Sequence, residues 1–295
     1  MSILVGCSGW SYDDWVGMFY PIEMARRKGD FLAYYARFFH TVEINSSFYR
    51  PPGEQQVLSW IKKGKSFASF EYSLKMPELV THKSMVSGDA GQALRWAQSF
   101  ERCTVLPLAD AGLLGCVLLQ LSPYFPNNSA NIKTLESVLD GLSCNEHEYA
   151  VEFRHRSWLE EGGNGVAGAA LQILEERNVA NVLVDGPGQP AATLSGSDHA
   201  YIRFHGRNYD IWYQDKKEND FRLDRYDYLY TREQLLPWLA RIKDADLKAE
   251  KVRIYFNNHA RSKAVKNALQ LMDMLLIEHE YKEICLQNQF TLGGF

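Results

Sequence analysis

Pairs of polar side chains stand two residues apart within otherwise apolar runs of this sequence: Glu43 with Asn45, Glu152 with Arg154, and Arg203 with His205. Residues two apart on an extended strand share a face, so each pair points to one place. A carboxylate there beside a guanidinium or imidazole provides the groups for general acid–base catalysis and for holding an anion. Other apolar runs end the same way, in Trp10, Lys75, Gln120, Asp185 and the run Asn257, Asn258, His259, with Tyr49, His155, Trp158 and Arg207 close behind. We read Glu43, Glu152, His205 and Asp185 as catalytic candidates. Trp10, Asn45, Tyr49, Lys75, Gln120, Arg154, His155, Trp158, Arg203, Arg207, Asn257, Asn258 and His259 are read as substrate-binding candidates.

Each has a plainer alternative. Glu152 and Arg154 could be an ion pair that braces the core, since buried charges must be partnered. The asparagines could cap a helix, and the aromatics could wedge loops against the barrel rim. Lys75 is harder to dismiss, because it ends an apolar run just before Met76 and Pro77, where a helix cannot start freely. We assign it a substrate-facing role.

Around the predicted site Lys75, Arg154, Arg203 and Arg207 outnumber Glu43, Glu152 and Asp185, although the chain as a whole carries a net charge of -4. A locally basic cleft in an acidic protein selects a small anionic ligand, and guanidinium forks match phosphate or carboxylate. The flat faces of Trp10, Tyr12, Trp15, Phe48, Tyr49 and Trp158 suit a sugar ring or a base. The overall acidity disfavours a broad phosphate-tracking surface, so nucleic acid is the weaker expectation. A divalent metal held by Glu43, Glu152, Asp185, His205 and His259 is a further expectation, without any metal-binding spacing to support it. Apart from such a metal, no cofactor is identified.

These residues must be positioned by the elements they terminate. Runs rich in β-branched and aromatic residues recur at 3–7, 41–45, 67–74, 114–121, 149–154, 179–185, 200–205 and 252–257. Several are continuously apolar, as strands covered on both faces must be. Helical periodicity fills the intervals at 29–39, 55–63, 90–106, 132–142, 166–177, 232–243 and 264–279. Strand and helix alternate, which predicts parallel βαβ units, and eight strands in 295 residues predict a closed TIM-type (β/α)8 barrel as one domain spanning 1–295. The first strand lacks the glycine-rich turn of a dinucleotide-binding sheet. The stretch 186–198, rich in Pro, Gly and Ser, predicts a crossover between the sixth and seventh strands without a full helix. The long aromatic stretch 206–231 predicts a lid or binding loop.

With 46% hydrophobic and 23% charged residues the composition is that of a folded globular protein. The five cysteines, Cys7, Cys103, Cys116, Cys144 and Cys285, form no C-x-x-C pair and read as reduced thiols. No signal peptide or membrane-length apolar run is present, which predicts a cytoplasmic protein with no membrane partner.

The motif Gly6-Cys7-Ser8-Gly9-Trp10-Ser11-Tyr12, then Val42-Glu43-Ile44-Asn45-Ser46-Ser47-Phe48-Tyr49, Thr81-His82, Glu152-Phe153-Arg154-His155, Arg203-Phe204-His205-Gly206-Arg207 and Phe256-Asn257-Asn258-His259 resemble, in order, those of the YecE-like family. This family is a domain of unknown function. The resemblance covers nearly the whole chain and implies a TIM-type barrel, with no settled activity. Fold-level analogy to metal-dependent barrels such as endonuclease IV and the sugar isomerases raises a nucleic-acid processing alternative, and a non-catalytic binding or scaffold role is a third reading. The glycine-rich insertion Gly162, Gly163, Asn164 and Gly165 departs from the family pattern and should lengthen the loop after Trp158.

Overall fold

A computed structural model describes residues 3–160, 165–187, 193–212 and 225–286, residues 211 and 212 by their backbone alone. Eight parallel strands form one sheet: β1 (Ile3–Cys7), β2 (Thr41–Ile44), β3 (Glu71–Lys75), β4 (Leu114–Gln120), β5 (Glu148–Glu152), β6 (Ala180–Asp185), β7 (His199–Phe204) and β8 (Lys251–Phe256). From β2 to β8 each strand pairs with the next, and β8 pairs with β1, which makes the nearly closed barrel of a TIM-type fold. Helices such as Glu54–Gly64, Ala90–Phe100, Ser129–Asp140, Arg232–Lys248 and Lys263–Leu275 wrap the outside. Among the described residues no helix is long and apolar enough to cross a membrane.

The seam between β1 and β2 carries no strand ladder and is bridged by a side chain. The Tyr35 hydroxyl accepts from the Cys7 backbone N–H at 2.8 Å and donates to the Thr41 carbonyl at 3.0 Å, so it supplies the missing rung. Gly6 permits this approach, because a Cβ there would lie 2.3 Å from the Thr41 carbonyl oxygen.

Strand parity sorts side chains into two cores. Cys116, Leu118, Ala150, Ala180, Val182, Val184, Tyr201 and Tyr255 cluster inside the barrel, while the larger cluster lies between strands and helices. Both faces are therefore apolar, which is why the strands read as continuous hydrophobic runs. At the lower end of the barrel Arg253 bonds to Glu71 (2.5 Å) and Glu148, and the Tyr255 hydroxyl links Thr41 (2.5 Å) to Ser73 (2.8 Å).

The expected third strand begins later than its apolar pattern suggests. The Phe67 N–H bonds to the Gly64 carbonyl to finish the preceding helix, and Ser69 at φ 53° turns the chain before Glu71. After β3 the chain forms a wide helical turn, Leu79–Ser84, with π-type bonding. The described parts of the crossover between β6 and β7, residues 186–187 and 193–198, contain no helix, as expected. Residues 213–224 of the expected loop at 206–231, including Tyr213 and Phe221, and the Gly162–Asn164 part of the insertion lie outside the described residues.

Candidate active site

Interior parity carries Ser8, Glu43, Asn45, Lys75, Gln120, Glu152, Arg154, Arg203, His205 and Asn257 to the C-terminal mouth, the end of the barrel where active sites of this fold lie. Arg203 is fully buried and lies between two carboxylates from other strands. Its guanidinium donates to Glu43 Oε1 at 2.8 Å and to Glu152 Oε2 at 2.6 Å.

Glu152 is a hub. It also accepts from Gln120 Nε2 (2.7 Å) and Arg154 Nη1 (3.0 Å), and His205 Nε2 stands 3.3 Å from Oε1. Glu43 Oε2 accepts from the Tyr201 hydroxyl at 2.7 Å. Burial by itself would raise both carboxyl groups, but the charge of Arg203 and the hydrogen bonds outweigh it. Both are held below the ordinary glutamate range, Glu152 well below. Two carboxylates this firmly ionised and this fully engaged are poor proton donors, so the acid role expected of them does not suit their geometry.

His205 is oriented from both sides. Asn257 Nδ2 stands 3.0 Å from its Nδ1, and Asn257 Oδ1 accepts from Asn45 Nδ2 at 3.3 Å. This assigns the proton to Nε2, facing Glu152. Burial drives the imidazole down to about 4, so it is neutral at physiological pH.

Lys75 is the exception in this ring. Inward side chains alternate along β3 from Glu71 to Ser73 to Lys75, which fixes its direction. Its Nζ lies 3.9 Å from the centre of the Phe48 ring and, among the described residues, makes no hydrogen bond or ion pair. The side chain is buried, and that desolvation, together with the charge of Arg203, lowers the amine to about 7 despite Glu43 and Glu152. His82, on the wide turn after β3, packs edge-on against the same Phe48 ring with centroids 4.9 Å apart. Burial, with Lys75 and Arg154 nearby, lowers His82 to about 4. His82 and Tyr201 were not among the expected site residues, and Phe48, expected as a flat face for a ring, meets the Lys75 amine; Tyr201 shares the interior parity of Arg203, and His82 stood in the Thr81-His82 motif.

Other expected residues are placed elsewhere. Val184 occupies the inward position of β6, so Asp185 faces the surrounding helices. There its carboxylate binds Arg207 through two bonds (2.8 and 2.6 Å), Trp238 Nε1 (2.7 Å) and the Tyr230 hydroxyl (2.9 Å). Asp185 and Arg207 thus pair with each other away from the mouth. Asn258 also faces outward, to Tyr228 and Asn267. Trp158 is fully buried and packs against Phe125 and Phe153 instead of presenting a face to ligand. His155 caps the short helix Arg156–Trp158 by accepting from Ser157 N. His259 is stacked by Tyr12 and flanked by Tyr226. Tyr49 is exposed at the rim.

Two consequences follow for the charge at the mouth. Glu43 and Glu152 balance Arg203 and Arg154, so with Asp185 and Arg207 paired elsewhere the single excess cation counted from sequence is Lys75. Among the described residues no three His, Cys, Asp or Glu side chains gather to hold a metal ion, and the Arg203 guanidinium fills the space between the carboxylates. The donor set does not fit a divalent cation.

Beside the mouth a groove of about 400 Å³ shares Asn45 with the polar ring and is lined by Trp10, Tyr12, Trp60, Lys28 and Lys63. Trp10, expected to bind substrate, belongs here. Lys28 is paired with Asp13 at 2.6 Å, and Lys63 donates to the Gly29 carbonyl at 3.1 Å.

Among known proteins, the chain is similar to UPF0759 protein YunF of Bacillus subtilis, 25% identical over 94% of this chain and 96% of that one. It is also similar to UPF0759 protein YecE of Escherichia coli, 28% identical over 62% of this chain and 59% of the relative. A crystal structure of a DUF72 family protein from Thermotoga maritima superposes with a TM-score of 0.80 at 29% identity, covering 94% of this chain and all of that one. The family model described as protein of unknown function DUF72 matches residues 4–289, and the chain therefore belongs to the DUF72 family.

Proposed function

We propose that the barrel mouth is an enzyme active site for a small anionic, sugar-like substrate, in which Lys75 carries the proton transfer. The observation that carries this reading is the placement of the Lys75 amine: among the described residues Glu43 and Glu152 are engaged by Arg203, and the amine lies over the face of Phe48 with no hydrogen bond or ion pair. A buried cation without a counterion is costly for a fold that only needs stability, and a lysine brought near neutrality is suited to accept and return a proton. The neighbouring groove adds aromatic faces and two lysines of a size and charge that suit a phosphorylated or carboxylated sugar. Arg154, part-exposed at the mouth, is the second anion contact.

A thermal-shift panel of phosphosugars, sugar acids and nucleotides tests the reading. A concentration-dependent rise in Tm with a phosphosugar or sugar acid, weakened in Arg154→Met, is the expected result. No stabilisation by any anion in the panel overturns it, and stabilisation without turnover of any such ligand would leave a binding protein in place of an enzyme.

A further inference from the structure

We infer that Lys75 is a covalent nucleophile, whose amine captures the carbonyl carbon of an aldehyde or ketone substrate as a Schiff base. The inference rests on the proposed active site and goes further, by naming the functional group of the substrate.

The geometry is that of a reactive amine. Lys75 ends β3 with its side chain directed into the mouth by the same parity that places Ser73 on Tyr255. Its backbone is clamped, because the Ser47 hydroxyl donates to the Lys75 carbonyl (2.8 Å) and accepts from its N–H (3.1 Å). The chain end is thereby fixed while Nζ itself makes no hydrogen bond or ion pair among the described residues and still reaches the opening.

The charged and titratable groups around Lys75 come from four other elements. Glu43 on β2 and Glu152 on β5 favour the ammonium, whereas Arg203 on β7 and Arg154 after β5 oppose it, and burial adds to the opposition. His82 supplies a neutral imidazole perpendicular to the same phenyl ring, with Nδ1 engaged by the Thr81 hydroxyl at 2.9 Å. The neutral amine adds to the carbonyl carbon as the carbonyl π pair moves to oxygen. Proton transfer from nitrogen to that oxygen gives a carbinolamine, and loss of one water leaves the C=N bond. Amine and carbonyl compound go in, imine and water come out, and no oxidant or metal is consumed.

Borohydride trapping tests this on the full-length protein, with pyridoxal 5′-phosphate and dihydroxyacetone phosphate as probes. Hydride reduces the iminium to a stable secondary amine, which intact mass and peptide mapping locate. The expected result near neutral pH is one adduct per chain on the Lys75 peptide, formed at least about tenfold faster than on the Lys28 or Lys63 peptides, whose amines are engaged by Asp13 and by the Gly29 carbonyl. It should be absent in Lys75→Arg. Labelling spread over surface lysines with Lys75 unmodified overturns the inference, as does equal labelling of Lys75→Arg. Mapping of the wild-type protein decides the matter even if Lys75→Arg fails to fold. Glycerol 3-phosphate has no carbonyl: if it raises Tm while both carbonyl probes leave Lys75 unlabelled, the Schiff base is overturned and the anion site stands.

Discussion

Arg203 donates to Glu152 Oε2 at 2.6 Å through one amino nitrogen while the other reaches Glu43, so a single guanidinium ties β7 to β2 and β5 across the barrel. Arg253 repeats the arrangement at the opposite end with Glu71 and Glu148. Arg203, Arg253, Glu43, Glu71 and Glu152 are buried, and each charge survives in the interior because its partners are in place.

Removing the upper arginine should therefore expose the cost of the carboxylates it serves. Arg203→Met leaves Glu43 without its counterion and Glu152 with Arg154 alone, and should lose about 3–5 kcal/mol in urea unfolding. Adding Glu43→Gln and Glu152→Gln should recover part of that loss. If the single variant unfolds with the wild-type midpoint, the network does not brace the barrel.

Lys75 makes a prediction with a defined pH window. Its folded value of about 7 lies below the roughly 10.4 of an unfolded lysine, so between these values the unfolded chain binds more protons than the native one. The penalty for burying the ammonium is complete below about pH 7 and is relieved as pH rises toward about 10. Lys75→Met should be more stable than wild type by a few kcal/mol near pH 6, relative to its standing near pH 10. Denaturant titrations at both pH values check this, and a gap that does not change with pH refutes it.

Asp185 should behave as a structural residue. Asp185→Ala strands the Arg207 guanidinium and the Trp238 indole N–H and should cost about 2–4 kcal/mol. Anion-induced stabilisation and borohydride labelling at Lys75 should persist under conditions where the variant is folded. Loss of either in a folded variant would return Asp185 to the site.

The Tyr35 hydroxyl is the rung that closes the barrel between β1 and β2. Tyr35→Phe leaves the Cys7 N–H and Thr41 carbonyl without their partner and should destabilise by about 1–3 kcal/mol. Hydrogen exchange should show faster exchange at the Cys7 amide than in wild type. Unchanged exchange there would mean that the seam closes without it.

Much of the architecture was legible in the residues. Alternating strand and helix patterns, with strands apolar on both faces, require parallel units covered inside and out, and that periodicity is local information. The inward pairs Glu43 with Asn45, Glu152 with Arg154, and Arg203 with His205 were legible for the same reason, since parity along one strand needs no knowledge of its neighbours. The error at Asp185 came from treating the last polar residue of a strand as a mouth residue without following parity back to Val184. Trp158 and His155 were misplaced because a loop aromatic or histidine has no period to reveal whether it packs or protrudes.

Tertiary structure alone decided who partners whom. The neutralisation of Glu43 and Glu152 by Arg203 spans some 160 and 51 positions of sequence. It is this pairing that turns two apparent acid–base residues into fixed anions and leaves Lys75 the one ring amine against an aromatic face. A side chain's charge state depends on what surrounds it in three dimensions, at distances of a few ångströms. The sequence by itself determined the barrel and most of the inward-facing residues, because both follow from local periodicity. The chemistry those residues can perform was set only when the strands closed.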